Sequence, residues 1–292
     1  MRSTSNPVFR NMQPQQGGYA GFGQAPGAGQ YPTDPYAQQP GYGQQPPQYP
    51  GYGQQPYQPA IPTTRPMTID DVVQKTGITL GVVSLMAIVS YALTAGNHAL
   101  ALPFLLVGGL GGLVLGLVIS FGQKYSPALV LSYAALEGLL LGSFSFLFTG
   151  QIAGASGSGL IAQAVLGTFG VFFGMLVVYK TGAIRVTPRL TRMIVGALIG
   201  VGVLMLGNIV ASFFTSGGLG LRSGGTMSII FSLVVIGVAA FSFLLDFDAA
   251  DQLIRAQAPE KAAWGVAFGL TVTLVWLYLE ILRLLSYFQG DR

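Results

Sequence analysis

Three aspartates stand at the end of a long apolar run, in the stretch FSFLLDFDAADQLI at residues 241–254. A carboxylate inside hydrocarbon is costly and usually functional, whereas one at a helix end is easily solvated. Asp246 has Ser242 one turn before it and two alanines after it, which predicts a face directed into a crowded helix bundle. Asp248 and Asp251 point away from Asp246, and we expect them at a solvated helix end. A neutral acid that only ties helices together is the alternative for Asp246.

Two further acids lie inside apolar segments. Glu137 is in the middle of YAALEGLLLG, with Tyr133 as its hydrogen-bonding neighbour on the same face. Glu280 stands in WLYLEILRLL three residues before Arg283, so a local ion pair is the alternative to a functional role. Thr273 lies two turns before Glu280 on the same face, and this polar line predicts that the last helix is central in the bundle. The remaining acids are expected in water: Asp34, Asp70, Asp71, Glu260 and Asp291.

Carboxylates that converge between helices bind hard cations through oxygen, and protons compete for the same oxygens. A site of this kind would couple pH to the passage of Ca²⁺ or H⁺. The candidate residues for such an ion pathway are Asp246, Glu280, Glu137, Thr273, Arg283, Asp248 and Asp251. No cofactor is expected beyond these transported or regulatory ions.

The composition places these acids in a membrane protein. The chain has 292 residues, of which 51% are hydrophobic and only 8% are charged, and its mean hydropathy is +0.57. Seven apolar stretches each approach the ~20 residues that cross a bilayer; they are 78–95, 101–121, 128–148, 160–180, 193–214, 227–247 and 264–288. We therefore predict an all-α fold, a polytopic bundle of seven transmembrane helices in contact with the lipid bilayer.

The first part of the chain has a different composition. Residues 1–66 are rich in Gln, Pro, Gly and Tyr and have few aliphatic side chains to bury, which predicts a disordered tail before a membrane domain at 67–292. The tail is either an uncharged spacer or a segment that binds partner membrane proteins through its tyrosines at 31, 36, 42, 49, 52 and 57. The following MTIDDVVQKTG predicts an interfacial lead-in with Thr68 as helix cap.

The basic residues predict an orientation. Most Lys and Arg lie on the side of the N-terminus, whereas Arg222 and Arg292 lie opposite. The positive-inside rule then places the N-terminus in the cytoplasm and the C-terminus outside a cell membrane. Although the net charge is +4, no basic patch indicates nucleic acid. The chain has no cysteine and one histidine, His98, in an outer connection. We therefore expect no enzymatic activity.

Three segments carry a family resemblance: ALEGLLLGSFS, FSFLLDFDAADQLI and WGVAFGLTVTLVWLYLEILRLLSYF. They resemble the Bax-inhibitor-like family, also called the transmembrane Bax inhibitor motif family, in its bacterial branch with a Gln/Pro/Gly-rich tail. The resemblance implies a seven-helix bundle with a central last helix, a pH-dependent Ca²⁺ leak, and a pair of aspartates in spans 6 and 7 that share a proton.

The resemblance places the first aspartate of that pair at Asp246, through FLLDF. Matching the family's LYLD to LYLE places the second acid at Glu280. An ungapped match places it at Thr273 instead, and Glu137 or Glu280 would then have to take the role of the missing acid. We expect Asp246 and Glu280 to be the pH sensor and gate and transient Ca²⁺ ligands. The predicted function is a pH-sensitive cation leak channel, with a membrane-anchored adaptor or a proton-coupled transporter as alternatives.

Overall fold

The computed structural model describes residues 65–152 and 157–290, and these are almost entirely helical. The helices are α1 Ile69–Gly96, α2 Ala101–Gly122, α3 Pro127–Ile152, α4 Gly157–Thr181, α5 Pro188–Ser212, α6 Thr226–Arg255 and α7 Ala262–Gly290, with a short 3-10 turn at His98–Leu100. All seven are long and apolar enough to cross a membrane. The predicted all-α fold is thus confirmed. The tail predicted for residues 1–66 lies outside the described residues except for its last two positions.

Helix α1 begins at Ile69 with Thr68 as its N-cap, as the sequence predicted, so the helix includes the lead-in before the apolar stretch that starts at residue 78. Thr68 and Asp71 form a reciprocal capping box. Asp71, which we expected in water, is 3% exposed and also accepts hydrogen bonds of 2.6 and 3.0 Å from Arg65. The acid is buried because the chain before the helix folds back over it: the backbone of Met67 donates to Ala258 at 2.8 Å.

The last helix, α7, is the centre of the bundle, as its polar line predicted. It packs against α1, α3, α4 and α6, and 67% of its most apolar window is buried, compared with 11% for α4 and for α5. Helix α6 lies beside it and continues without a break to Arg255. This continuation carries Asp246 about 13 Å in from the end of α6.

Helices α1 and α3 are in close contact because two glycines of α3 leave room for the backbone of α1. Gly138 and Gly142 form a GxxxG pattern. An added Cβ at Gly138 would lie 2.6 Å from the carbonyl oxygen of Val83, and one at Gly142 would lie 2.7 Å from the amide nitrogen of Tyr91. Side chains at these positions would therefore force the two helices apart.

The change Gly142→Ala is expected to lower the free energy of unfolding by about 1–3 kcal/mol, because the new methyl group overlaps the backbone of α1. Gly174→Ala is the matched control, since a Cβ there meets nothing within 4 Å. Thermal unfolding in detergent would measure both. Equal stability of the two variants would show that the α1–α3 contact tolerates separation.

Candidate functional site

Asp246 lies where α6 packs against α7. Its carboxylate accepts a hydrogen bond of 2.8 Å from Thr273 Oγ1. Gly269, one turn before Thr273 on α7, leaves space beside it, since an added Cβ there would lie 3.9 Å from Asp246 Oδ1. Within residues 65–152 and 157–290, Asp246 forms no ion pair. Its described polar partner is therefore a neutral hydroxyl.

Glu280 is the most completely enclosed acid of the bundle, with 1% of its surface exposed. Both of its carboxylate oxygens lie 3.1 Å from Nη1 of Arg222. Arg283 donates to Oε2 at 3.0 Å, and Ser232 of α6 donates to Oε1 at 2.8 Å. Two guanidinium groups therefore compensate one buried carboxylate, which ties the α5–α6 loop to α6 and α7.

The two arginines are themselves held in place by aromatic and sulfur contacts. The Arg222 guanidinium lies 5.6 Å from the ring centroid of Phe231 and 3.6 Å from Sδ of Met205. Arg283 lies 5.5 Å from the ring centroid of Phe144. Cationic groups on aromatic faces gain electrostatic attraction in addition to their ion pairs. The cluster of Arg222, Glu280 and Arg283 is consequently held by contacts beyond its ion pairs.

A cavity of about 810 Å³ adjoins this cluster at the end of the bundle that contains the α5–α6 loop. Arg222, Arg283, Asn208 and Tyr287 contribute polar groups to its lining. The hydroxyl of Tyr287 is buried and has no hydrogen-bond partner among the described residues. The cavity is thus a polar vestibule that ends at the two guanidinium groups.

Asp246 of α6 and Glu280 of α7 lie at different levels of the α6–α7 contact. Thr273, the partner of Asp246, and Glu280 are seven residues apart, which corresponds to about 10 Å along a helix. No hydrogen bond joins the two acids in the described part of the chain. The expected direct pairing of Asp246 with Glu280 is therefore not formed, and the residue of α7 that contacts Asp246 is Thr273.

Glu137 lies in a third place, between α2 and α3. It is 8% exposed, and an added Cβ at Gly112 of α2 would lie 2.9 Å from its Oε1. The ring of Tyr133, one turn before Glu137, packs against Phe268 of α7 with 4.9 Å between ring centroids. Glu137 is thus buried where α3 packs on α2, and the contacts of the described residues do not join it to Asp246.

Asp248 and Asp251 belong to the end of α6, as their position predicted. Asp248 accepts a hydrogen bond of 2.6 Å from Gln252. Asp251 pairs with Arg255 at 2.8 Å and is 38% exposed, while Tyr179 of α4 lies 3.5 Å away. Both acids are satisfied locally near the surface. The structure therefore separates them from Asp246.

Comparison with known protein families gives a match to the Bax inhibitor 1 like family over residues 6–290. The match covers nearly the whole chain. The protein belongs to the Bax inhibitor 1 like family. A comparison with curated proteins finds no match.

Sequence reasoning missed the role of Arg222 in this Bax inhibitor 1 like protein. We assigned Arg222 to an outer loop as a topology determinant, yet its guanidinium reaches a buried acid. Its isolation was the available signal, because no other charged residue stands between Arg192 and Asp246. The rule that a buried charge needs a partner could have joined Arg222 to Glu280, although Arg283 was the nearer candidate in sequence.

The change Glu280→Gln is expected to reduce the free energy of unfolding by about 3 kcal/mol or more, because two arginines lose their buried counter-ion. The control is Asp248→Asn, which removes an acid with a local, solvated partner and should shift stability by less than about 0.5 kcal/mol. Chemical unfolding in detergent would measure both. A Glu280→Gln variant as stable as the parent would show that the arginine cluster does not depend on this carboxylate.

Proposed function

We propose that this Bax inhibitor 1 like protein is a pH-sensitive cation leak channel of the cell membrane, with Ca²⁺ as the expected ion and Asp246 as the protonation-dependent gate. The observation that carries the proposal is a carboxylate between α6 and α7 whose described partner is the hydroxyl of Thr273 at 2.8 Å. Without a cationic side chain beside it, such a carboxylate is satisfied either by a proton or by a cation from solution.

The groups around Asp246 suit a hard cation better than a soft one. The carboxylate of Asp246 and the hydroxyl of Thr273 are oxygen ligands, which Ca²⁺ prefers. The missing side chain at Gly269 leaves space next to the carboxylate. Because two protein ligands are too few for a permanent Ca²⁺ site, an ion here would keep much of its water and bind briefly, as conduction requires.

Arg222 and Arg283 close the other half of the pathway. Their guanidinium groups take the carboxylate oxygens of Glu280 that a passing cation would otherwise use, and their positive charge repels it. The Arg222 loop is anchored to α5, because the amide of Leu219 donates to Asn208 Oδ1 at 3.0 Å. In the proposed cycle, Arg222 leaves Glu280 before an ion enters from the polar vestibule, and Asp246 is deprotonated before the ion can be received.

The orientation completes the proposal. The positive-inside rule places the loops that carry most Lys and Arg in the cytoplasm, so the N-terminus is cytoplasmic and the Arg222 vestibule faces outward. The tail is not required for the proposed flux. A chain without residues 1–60 should therefore still leak Ca²⁺, whereas loss of function on this deletion would favour the adaptor alternative.

The change Asp246→Asn is expected to abolish the pH dependence of Ca²⁺ flux in reconstituted vesicles, because the amide cannot titrate. Asp248→Asn is the matched control: it lies two residues away, bonds Gln252, and should leave the pH profile unchanged. Flux is followed with a Ca²⁺ indicator over a range of pH. A pH profile of Asp246→Asn identical to that of the parent would refute Asp246 as the gate.

The change Arg222→Gln is expected to raise Ca²⁺ flux at pH values where Asp246 is deprotonated, because the outer guanidinium no longer occupies Glu280. We expect an increase of at least about tenfold, since a close charge pair is worth more than about 1.4 kcal/mol in this setting. The control is Arg189→Gln, which changes an exposed arginine at the start of α5. Unchanged flux through the Arg222→Gln variant would place the barrier elsewhere.

A further inference from the structure

A second cavity, of about 600 Å³, lies where α1, α3 and α7 meet at the end of the bundle opposite the polar vestibule. The α2–α3 loop and the start of α7 form its rim. Its lining contains three lysines and one acid, together with aromatic side chains; the charged members are Lys75, Lys124, Lys261 and Glu260. Three positive charges against one negative charge make it a cationic cavity.

The single acid of this cavity is already paired. Lys75 Nζ lies 3.0 Å from Oε1 of Glu260, and Arg65 Nε lies 3.4 Å from Oε2. Lys75 is 7% exposed and also donates to the backbone oxygen of Glu260 at 2.9 Å. Lys124 and Lys261 are exposed and form no ion pair with the described residues. Two ammonium groups at the cavity are therefore available for an anion.

Aromatic side chains give the cavity an apolar wall. The ring of Tyr125 packs so closely on the backbone of Gly265 that an added Cβ there would lie 2.9 Å from the ring. Trp264 lies beside Lys75, whose ammonium is 5.8 Å from the centroid of the indole ring. Tyrosine and tryptophan are typical of the boundary between hydrocarbon and water, where one end of the side chain is apolar and the other is wet.

The position of the cavity along the helices fits a lipid headgroup. Three membrane-spanning helices end or begin at its rim: α2 ends at Gly122, α3 begins at Pro127 and α7 begins at Ala262. Helix ends of this kind lie at the level of the headgroups. The starts of α3 and α7 also add the positive ends of two helix dipoles. A phosphate carried by a lipid would reach this place with its acyl chains along the bundle.

We propose that this cavity binds the phosphate group of an anionic phospholipid, with Lys124 and Lys261 pairing with its oxygens and Trp264 and Tyr125 packing beside the headgroup. Lys75, whose ammonium group pairs with Glu260, adds further positive charge to the lining of the cavity. The site is independent of Asp246 and Glu280. It would bind the lipid whether or not the protein conducts ions.

Trp264 provides a direct reporter of this binding. The chain contains two tryptophans, so the variant Trp276→Phe leaves Trp264 alone. The full-length protein with this change is titrated in neutral detergent with phosphatidylglycerol, and separately with phosphatidylcholine and with inorganic phosphate. We expect saturable change in the Trp264 emission with phosphatidylglycerol and no change with phosphatidylcholine. Native mass spectrometry of the parent chain gives a second measurement that needs no tryptophan change.

The decisive comparison is between two double variants. The pair Lys124→Gln and Lys261→Gln is expected to weaken phosphatidylglycerol binding about 25-fold, because each lysine near an anionic group contributes about a factor of five. The control pair is Lys180→Gln and Arg189→Gln, which removes two exposed charges on the same side of the bundle but outside the cavity. This control should bind like the parent. Size-exclusion chromatography checks that both double variants remain folded.

Two results would overturn the proposal. Equal weakening by both double variants would mean that the lipid responds to general surface charge and not to this cavity. Saturation of the Trp264 signal by inorganic phosphate in the absence of phosphatidylglycerol would assign the cavity to soluble phosphate and exclude the lipid as its specific ligand.

Discussion

A carboxylate inside the membrane needs a partner, and the two acids at the α6–α7 contact obtain theirs in different ways. Glu280 has two arginines and a serine within 3.1 Å of its oxygens. Asp246 has the hydroxyl of Thr273. The first acid is compensated inside the protein. The second has no cationic side chain beside it among the described residues, and in the proposed function this difference makes Asp246 the acid that responds to pH.

The fold places both acids by means of its central helix. Because α7 packs against α1, α3, α4 and α6, its polar line is kept from lipid along its length. The glycines of α3 draw α1 close, while α6 packs along the other side of α7 and carries Asp246 to Thr273. The two ends of the bundle are closed by ionic contacts of different kinds, Arg222 with Glu280 at one end and Lys75 with Glu260 at the other.

Sequence patterns predicted the architecture well because hydrophobic length is a strong local signal. The seven spans and the central last helix follow from where apolar and polar residues fall, whereas the continuation of α6 to Arg255 extends beyond the apolar stretch that ended at residue 247. The burial of Asp71 could not be predicted in this way, since it depends on Arg65 folding back over the helix start. The partner of Asp246 was equally hard to predict. The likeness of LYLE to the family's LYLD favoured Glu280, whereas the helical register of α7 brings Thr273 to face α6. Arg222 reaches Glu280 through a loop whose path no periodicity encodes.

If a proton and Ca²⁺ compete for the carboxylate of Asp246, binding of the ion must displace the proton, and this exchange can be followed without measuring flux. Infrared difference spectra of the purified protein would follow the carboxylic C=O band when Ca²⁺ is added at fixed pH in a weak buffer. We expect Ca²⁺ to remove intensity from this band and to release protons into the medium, and we expect Asp246→Asn to abolish both signals. A band and a pH that do not respond to Ca²⁺ would contradict this competition.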